Sequence, residues 1–305
     1  MQIFNLLLLK IIPFYALIAC GYIAGKKLNA KRETISSILI YIIAPVVIFS
    51  GLLAKPLEQR DFLIPLIMFI ISSTISLTIF FVTKSKWQDS TPNILAFASG
   101  AGNTGYFGLP IALLLFGNEA FIPAIMAIMS TVLFESTIGF YITARGKFAA
   151  SMSFKKLLKL PTIYAFIAGS IININGFMPS QSFFEFTALF KGAYSILGMM
   201  IIGLALSTIS KEHFDFKFIT TALFSRFVIW PLTMGVFIAL EKNYFHIFNH
   251  TTHKVLLLMS CIPIAANTVV FATELKVLPE KAASAVFISS IVALFFIPLI
   301  AAILS

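Results

Sequence analysis

The fold is decided by ten residues inside a long apolar run, Gly-Asn-Thr-Gly-Tyr-Phe-Gly-Leu-Pro-Ile at positions 102–111. The run has no charged residue from Ser90 to Asn118, yet these ten positions include three glycines, an asparagine and a proline. In hydrocarbon, a backbone that breaks this easily is tolerated only where protein or a water-filled cavity surrounds it. The stretch therefore predicts a membrane helix that is interrupted inside the protein.

A second stretch of the same kind is Cys-Ile-Pro-Ile-Ala-Ala-Asn-Thr at positions 261–268. The two stretches share a register, because four residues of the first recur 164 positions later in or just after the second. Ala101, Asn103, Thr104 and Phe107 correspond in this way to Ala265, Asn267, Thr268 and Phe271. Two interrupted spans in corresponding halves of a chain are typical of a transport site.

The composition supports an all-α integral membrane protein. Of the 305 residues, 59% are hydrophobic and 11% are charged, and the mean hydropathy is +0.98. A soluble protein carries about a quarter charged residues. Runs of roughly 20 apolar residues, enough to cross a bilayer, predict ten helices: a first ending at Gly25, then Thr34–Ala54, Phe62–Val82, Ser90–Asn118, Ala120–Ala144, Leu160–Phe184, Gly192–Ser210, Phe218–Leu240, Val255–Thr273 and Ala282–Ser305.

The net charge of +10 has a membrane explanation, so no nucleic-acid partner is expected. If the amino terminus lies outside, most Lys and Arg residues fall in the loops after odd-numbered helices. Such an excess marks the cytoplasmic side. The sequence therefore predicts a multi-pass protein of the plasma (inner) membrane with both termini non-cytoplasmic.

The ten helices are expected to form two inverted repeats. Residues 15–19, Tyr-Ala-Leu-Ile-Ala, are echoed by residues 164–168, Tyr-Ala-Phe-Ile-Ala. Since five is an odd number, a second five-helix copy enters the membrane from the opposite side. The predicted organisation is a first repeat at 1–144, a cytoplasmic linker at 145–159 and a second, inverted repeat at 160–305, with helices 4 and 9 broken where they cross.

A helix break leaves free carbonyls on one half-helix and free amides on the next, each end carrying about half a charge. Amide ends suit a carboxylate, and carbonyl ends suit a cation. The predicted substrate-binding residues at the two breaks are Asn103, Thr104, Gly105, Asn267 and Thr268. The alternative is that the two asparagines only cap broken helices.

Four residues are predicted to shape the breaks, namely Gly102, Gly108, Pro110 and Pro263. The glycines at 102, 105 and 108 also suit a close-packing face, since small residues let membrane helices approach. Pro110 follows Asn103 by seven positions, whereas Pro263 precedes Asn267 by four. The prolines therefore do not obey the repeat, and the two breaks need not have the same shape.

Residues 102–110 resemble the fourth-helix signature of the auxin efflux carrier family, whose bacterial members include permeases for malonate and other carboxylates. Residues 259–267, Met-Ser-Cys-Ile-Pro-Ile-Ala-Ala-Asn, resemble the ninth-helix pattern of that family. The resemblance implies a ten-helix fold similar to that of bile acid and sodium symporters. It further implies a scaffold of helices 1, 2, 6 and 7 and a mobile transport unit of helices 3–5 and 8–10. Because the linker between the two repeats is short, the resemblance is to a compact prokaryote-type permease.

Three predicted spans each carry one charge: Lys10 lies near the outer end of the first span, whereas Glu135 and Arg226 lie deep within theirs. Their similar depth favours a mutual ion pair, because a mid-bilayer charge costs about 2.5 to 3.5 kcal/mol or more and needs a partner. Alternatively, Arg226 helps to bind an anionic substrate, and Glu135 carries a coupling proton or ligates sodium.

The histidines and tryptophans give weaker indications of function. His246, His250 and His253 have a spacing found in metal sites but no expected acidic companion, so we interpret them as solvated loop residues and predict no metal site. Trp87 and Trp230 are interpreted as anchors at the membrane interface.

The predicted function is secondary transport of a small organic anion, a carboxylate, by alternating access at the crossing of helices 4 and 9. No Gly-x4-Gly-Lys-Ser/Thr motif and no catalytic motif is present, so neither ATP hydrolysis nor enzyme activity is expected. The alternative is a non-transporting membrane sensor or binding protein of the same fold. No cofactor is expected beyond a coupling ion, H⁺ or Na⁺. The expected partners are the lipid bilayer and, as an open alternative, a second copy of the chain in a homodimer.

Overall fold

The computed structural model describes residues 2–57, 59–208 and 215–304. The described chain is helical, without a β-strand. Its α-helices are α1 Gln2–Lys27, α2 Arg32–Ile38, α3 Ala44–Leu52, α4 Leu63–Thr83, α5 Thr91–Gly100, α6 Leu109–Phe116, α7 Phe121–Phe134, α8 Phe140–Arg145, α9 Ala150–Leu158, α10 Pro161–Ile174, α11 Gln181–Ser207, α12 Phe216–Phe224, α13 Trp230–Leu240, α14 His250–Ser260, α15 Asn267–Leu275 and α16 Pro279–Leu304.

Several of these helices continue into one another through short π-helical turns. Such turns lie at Leu39–Ile43, Thr104–Gly108, Glu135–Gly139, Ser225–Ile229 and Glu241–Phe245. A π turn inside an α-helix is rare and is frequent at functional sites. Two of the turns begin at or contain the intramembrane charges Glu135 and Arg226.

Within the described residues, six helices are long and apolar enough to cross a membrane, or seven if the bent pair α9 and α10 counts as one span. The predicted class, an all-helical integral membrane protein, is confirmed. The count is lower than ten partly because α5, α14 and α15 have only 10, 11 and 9 residues. In addition, α6 to α8 form one continuous run.

Both predicted interruptions are present. The chain leaves helical geometry at residues 101–103, between α5 and the π turn before α6, and at residues 261–266, between α14 and α15. The residues predicted as helix 4 are thus two half-helices, and so are those predicted as helix 9.

The predicted bounds of helices 6 and 7 are wrong. Helix α10 ends at Ile174, and Gly176 turns the chain at φ +76°. Helix α11 then begins at Gln181 and runs through Glu185 and Lys191. The prediction stopped at these charges because it searched for uncharged runs, whereas charges near a helix end reach the interface and do not end the helix.

The closest helix packing joins α1 to α11. A Cβ at Gly203 would lie 2.6 Å from the Tyr22 amide nitrogen, and one at Gly21 would lie 2.7 Å from the Met200 carbonyl carbon. Only glycine permits this approach, as expected where lipid tails provide no hydrophobic drive and packing holds helices together. Helix α3 packs on α10 and α11, and α4 packs on α5 and α7.

Candidate functional site

The two breaks cross each other through backbone pairing. Gly102 and Ile264 form an isolated antiparallel bridge, and the Asn103 amide donates to the Pro263 carbonyl at 2.8 Å. Pro263 therefore acts through its carbonyl oxygen, the one backbone hydrogen-bonding group that proline keeps. The extended segments satisfy each other's polar groups in a place where an unpaired backbone group would be costly.

The carbonyl ends of the first half-helices are bonded by side chains on the turn that joins α12 to α13 and on α13 itself. The Trp230 indole donates to the Ser99 carbonyl at 2.7 Å, near the end of α5. Arg226 donates to the carbonyls of Met259 and Ile262, both at 2.6 Å, at the end of α14. The guanidinium lies 4.7 Å from the Trp230 ring centre.

This arrangement leaves the amide ends of the second half-helices at the crossing. Free carbonyls at a helix end would suit a cation. Those at the end of α14 are already bonded by the positively charged Arg226, and the Ser99 carbonyl is bonded by Trp230. A helix amino terminus favours negative charge. The backbone groups left at the crossing therefore favour negative charge over positive charge.

A cavity of about 70 Å³ opens at the crossing. Its polar lining comes from both breaks and from two neighbouring helices, and comprises Asn103, Thr104, Thr131, Glu135, Tyr194 and Asn267. One water needs only about 10 to 15 Å³ on this measure. The cavity is thus large enough for several waters or for the head of a small solute.

A second, smaller cavity of about 20 Å³ lies beyond the same side chains. It shares Glu135, Tyr194 and Asn267 with the first cavity, and its other lining includes Ser136 and Thr162. The larger cavity is lined by α7 residues that precede Glu135, whereas the smaller one continues past it. Ile48 and Val132 are also shared, so five side chains lie between two spaces that are offset along α7.

The expected ion pair between Glu135 and Arg226 is wrong. The Asn267 amide donates to Glu135 Oε2 at 2.6 Å, while Arg226 is bonded to the carbonyls of α14. Both side chains are buried. A similar depth in the membrane would allow an ion pair, but the two side chains point from their helices toward different neighbours.

The structure divides the predicted substrate-binding residues. Asn103, Thr104, Gly105 and Asn267 line the larger cavity. Thr268 is fully buried behind it, and Arg226 is outside its lining. Arg226 therefore contacts the carbonyl end of α14 and not the cavity.

The glycines predicted at the break serve two roles. A Cβ at Gly102 would lie 2.7 Å from Arg226 Cζ, and one at Gly108 would lie 2.9 Å from Met259 Cε. A Cβ at Gly105 would meet nothing within 4 Å. Gly102 and Gly108 are close-packing positions, whereas Gly105 borders open space. Pro110 occupies the first turn of α6, where its missing N–H is not needed.

Sequence reasoning missed Tyr194 and Thr131. The Tyr194 hydroxyl donates to Asn267 Oδ1 at 3.1 Å, and the Thr104 and Thr131 hydroxyls are 3.1 Å apart. Tyr194 stood out only as a polar-tipped residue within an apolar run, which is the pattern of an interface anchor. Trp230 was interpreted as such an anchor and is instead 2% exposed.

The interpretation of all three histidines as solvated is wrong for His253. This residue is buried, and its Nε2 contacts Glu241 Oε2. Glu241 also accepts hydrogen bonds from the amides of Ile247 and Phe248 at 2.5 and 2.9 Å. The cluster closes a loop, and within the described residues no group of three His, Cys, Asp or Glu side chains could hold a metal ion.

Two protein-family models match parts of the chain. Residues 6–149 match the model of a family described as membrane transport protein. Residues 192–305 match that of the sodium bile acid symporter family. Both matched parts of the chain are therefore similar to membrane transporters. The resemblance found in the fourth-helix and ninth-helix patterns is thereby confirmed.

Three relatives extend along nearly the whole chain. A protein of Methanocaldococcus jannaschii named as an uncharacterized transporter is 28% identical, over 93% of this chain and 94% of its own. Another of that name from Methanothermobacter thermautotrophicus is 25% identical, over 95% of both. A protein of Rhizobium meliloti, named as a proposed malonate transporter, is 21% identical, over 92% of this chain and 90% of its own.

Proposed function

We propose that this chain is a secondary transporter that moves a small organic anion, a carboxylate, across the plasma (inner) membrane by alternating access. The single observation that carries the proposal is the polarity of the crossing. The carbonyl ends of both first half-helices are bonded by Arg226 and Trp230, while both second half-helices begin at one cavity.

The cavity supplies neutral donors for a carboxylate. Asn103 offers a side-chain amide and Thr104 offers a hydroxyl. The Asn267 amide donates to Glu135 and to the Tyr194 hydroxyl at 2.6 and 2.8 Å, and it reaches a substrate when it turns away from one of these partners. Together with two helix amino termini, these groups stabilise negative charge without a fixed cation in the cavity lining. A substrate held by partial charges is released more readily than one held by a buried ion pair, which suits a carrier.

The proposed architecture is ten membrane helices in two inverted repeats, with both termini non-cytoplasmic. Helices 1, 2, 6 and 7 correspond to α1, α2 with α3, α10 and α11, which pack on one another. The remaining helices form the transport unit that carries the crossing. In this arrangement the cavity opens to alternate sides when the transport unit moves against the scaffold.

The test is uptake of radiolabelled malonate by proteoliposomes, because malonate appears in the name of the Rhizobium meliloti relative. Asn103→Ala and Asn267→Ala should each lower flux by about tenfold or more, since a hydrogen bond to a charged group contributes about 1.5 to 3 kcal/mol. Asn175→Ala is the matched control, because the Asn175 amide bonds only within its own helix, to Ile171.

Unchanged flux in both variants would remove the crossing as the substrate site. Calorimetric binding of malonate or another short carboxylate without any flux would favour the non-transporting sensor. Neither outcome requires an enzyme activity, and none is proposed.

A further inference from the structure

We propose that Glu135 is the proton-binding site that couples anion movement to a proton gradient, an inference that rests on the proposed transport function. Glu135 is 2% exposed and lines both cavities. A carboxyl group that lines two cavities at different depths can exchange a proton with either cavity. In the proposed transport cycle the larger cavity opens to each side in turn, so this carboxyl binds a proton from one side and releases it to the other.

The carboxyl group of Glu135 is only half satisfied. Its Oε2 accepts one hydrogen bond, from the Asn267 amide at 2.6 Å. Its Oε1 is buried and has no hydrogen-bond partner among the described residues. An ionised carboxylate in such a place is costly unless a counter-ion pairs with it, and a bound proton removes that cost.

The neighbouring helices offer no counter-ion among the described side chains. Tyr194 on α11 is the titratable group that shares both cavities with Glu135. Lys191, one turn earlier on α11, lines neither cavity. Glu274 on α15 accepts a hydrogen bond from Ser37, and Arg226 is bonded to the α14 carbonyls.

Helices α3 and α10 bring only uncharged side chains to these cavities, and α5, which packs on the turn at Glu135, contains no charged residue. A proton is therefore the neutralising partner that the surroundings favour. The nearby hydroxyls are neutral and hydrogen-bond one another, so none of them supplies the positive charge that would balance an ionised Glu135. Thr104 bonds Thr131 at 3.1 Å, and Thr162 donates to Ser136 at 3.0 Å.

Coupling follows from the shared position of Glu135 and the anion. A carboxylate held by Asn103 and Asn267 would be repelled by a second negative charge in the same cavity. Protonation of Glu135 removes that repulsion, so the anion and the proton each raise the affinity for the other by the same factor. The Asn267 amide can face a carboxylate with its NH₂ group and a carboxylic acid with its oxygen. Both forms of the site are thus accommodated.

The experiment uses proteoliposomes, radiolabelled malonate and separately imposed gradients of pH and sodium. We expect an inward proton gradient to drive malonate accumulation on the order of tenfold, and a sodium gradient to drive none. Glu135→Gln mimics the neutral acid, so it should lose proton-driven accumulation and retain exchange of malonate for malonate. Glu135→Asp should retain accumulation, because it still binds a proton.

Glu185→Gln is the matched control, since Glu185 is an exposed carboxylate on α11 that accepts a hydrogen bond from Gln181. It should leave both accumulation and exchange unchanged. An independent measurement is the infrared C=O stretch of a protonated carboxyl in the purified protein in lipid, which should be present in the wild type and absent in Glu135→Gln.

The inference is overturned if sodium drives accumulation in place of the proton gradient, if Glu135→Gln keeps proton-driven accumulation, or if the infrared band persists in that variant. In each of these cases malonate exchange by the wild type would show that the transport function itself stands. If the wild type exchanges neither malonate nor another short carboxylate, the proposed function fails, and the coupling falls with it.

Discussion

At the scale of single residues, Gly102 and Gly105 differ only in what surrounds them. A methyl group at Gly102 would overlap the Arg226 guanidinium, whose Cζ lies 2.7 Å from the Cβ position, and two hydrogen bonds hold that guanidinium in place. We expect Gly102→Ala to destabilise the protein by about 1 to 3 kcal/mol through overpacking. Thermal unfolding in detergent measures the effect as a lower Tm.

Gly105→Ala is the control for this prediction, because its Cβ would meet nothing within 4 Å. Its Tm should stay close to that of the wild type, while its malonate affinity should fall, since the methyl group enters the cavity. Equal Tm values for the two variants would contradict the packing role assigned to Gly102.

The sequence predicted which residues meet at the crossing, because glycine, proline and asparagine together in an uncharged apolar run favour a broken helix that protein surrounds. It did not predict the partners of Arg226 and Trp230. Depth along a helix follows from counting residues, but the direction in which a side chain leaves the helix depends on neighbours that are distant in sequence. Tyr194 was missed for the same reason, since it reaches Asn267 from another helix.

At the scale of helices, the contact between α1 and α11 should be sensitive to a single methyl group. A Cβ at Gly203 would lie 2.6 Å from the Tyr22 amide nitrogen, which belongs to backbone that cannot swing aside. Gly203→Ala should therefore force the helices apart and lower stability by about 1 to 3 kcal/mol. Unfolding by denaturant in detergent micelles measures the change.

Gly192→Ala on the same helix provides the comparison, since nothing lies within 4 Å of its Cβ position. It should be neutral or slightly stabilising, because alanine has the higher helix propensity. A loss of stability as large as that of Gly203→Ala would contradict the assignment of the Gly203 effect to the contact between α1 and α11.

Helix positions followed from the sequence more closely than helix bounds. Apolar runs located the spans, but they shortened α11 at Glu185 and Lys191, which lie inside it. The π turns were not predicted at all, because a single extra residue in a helical turn leaves no periodic signal in an apolar segment. One such turn begins at Glu135, so the local geometry of the proposed proton site was beyond sequence reasoning.

At the scale of the whole molecule, two polar clusters occupy the proposed cytoplasmic end. One joins the scaffold to the transport unit, since Arg32 on α2 bonds Glu280 on α16 at 2.6 Å and Thr208 at 3.0 Å. The other lies within the transport unit, where Lys281 bonds Asp215 at 2.9 Å. Burial raises the pKa of Asp215, but hydrogen bonds from the Phe218 amide, Lys281 and Trp87 outweigh it and hold the pKa below its ordinary value.

In the proposed alternating-access cycle, the first cluster breaks and the second persists. Glu280→Gln should therefore favour opening at this end by about 0.5 to 1 kcal/mol, the size expected for a partly exposed ion pair. Amide hydrogen exchange in α2 and α15 should become about 2- to 5-fold faster.

Asp215→Asn should lower the Tm at neutral pH. The carboxylate has a lowered pKa, so it contributes stability that is lost as pH falls through that pKa. The variant should leave exchange at the boundary between scaffold and transport unit unchanged. If Asp215→Asn accelerated exchange in α2 as much as Glu280→Gln does, the two clusters would belong to one rigid body, and movement of the transport unit against the scaffold at this end would be ruled out.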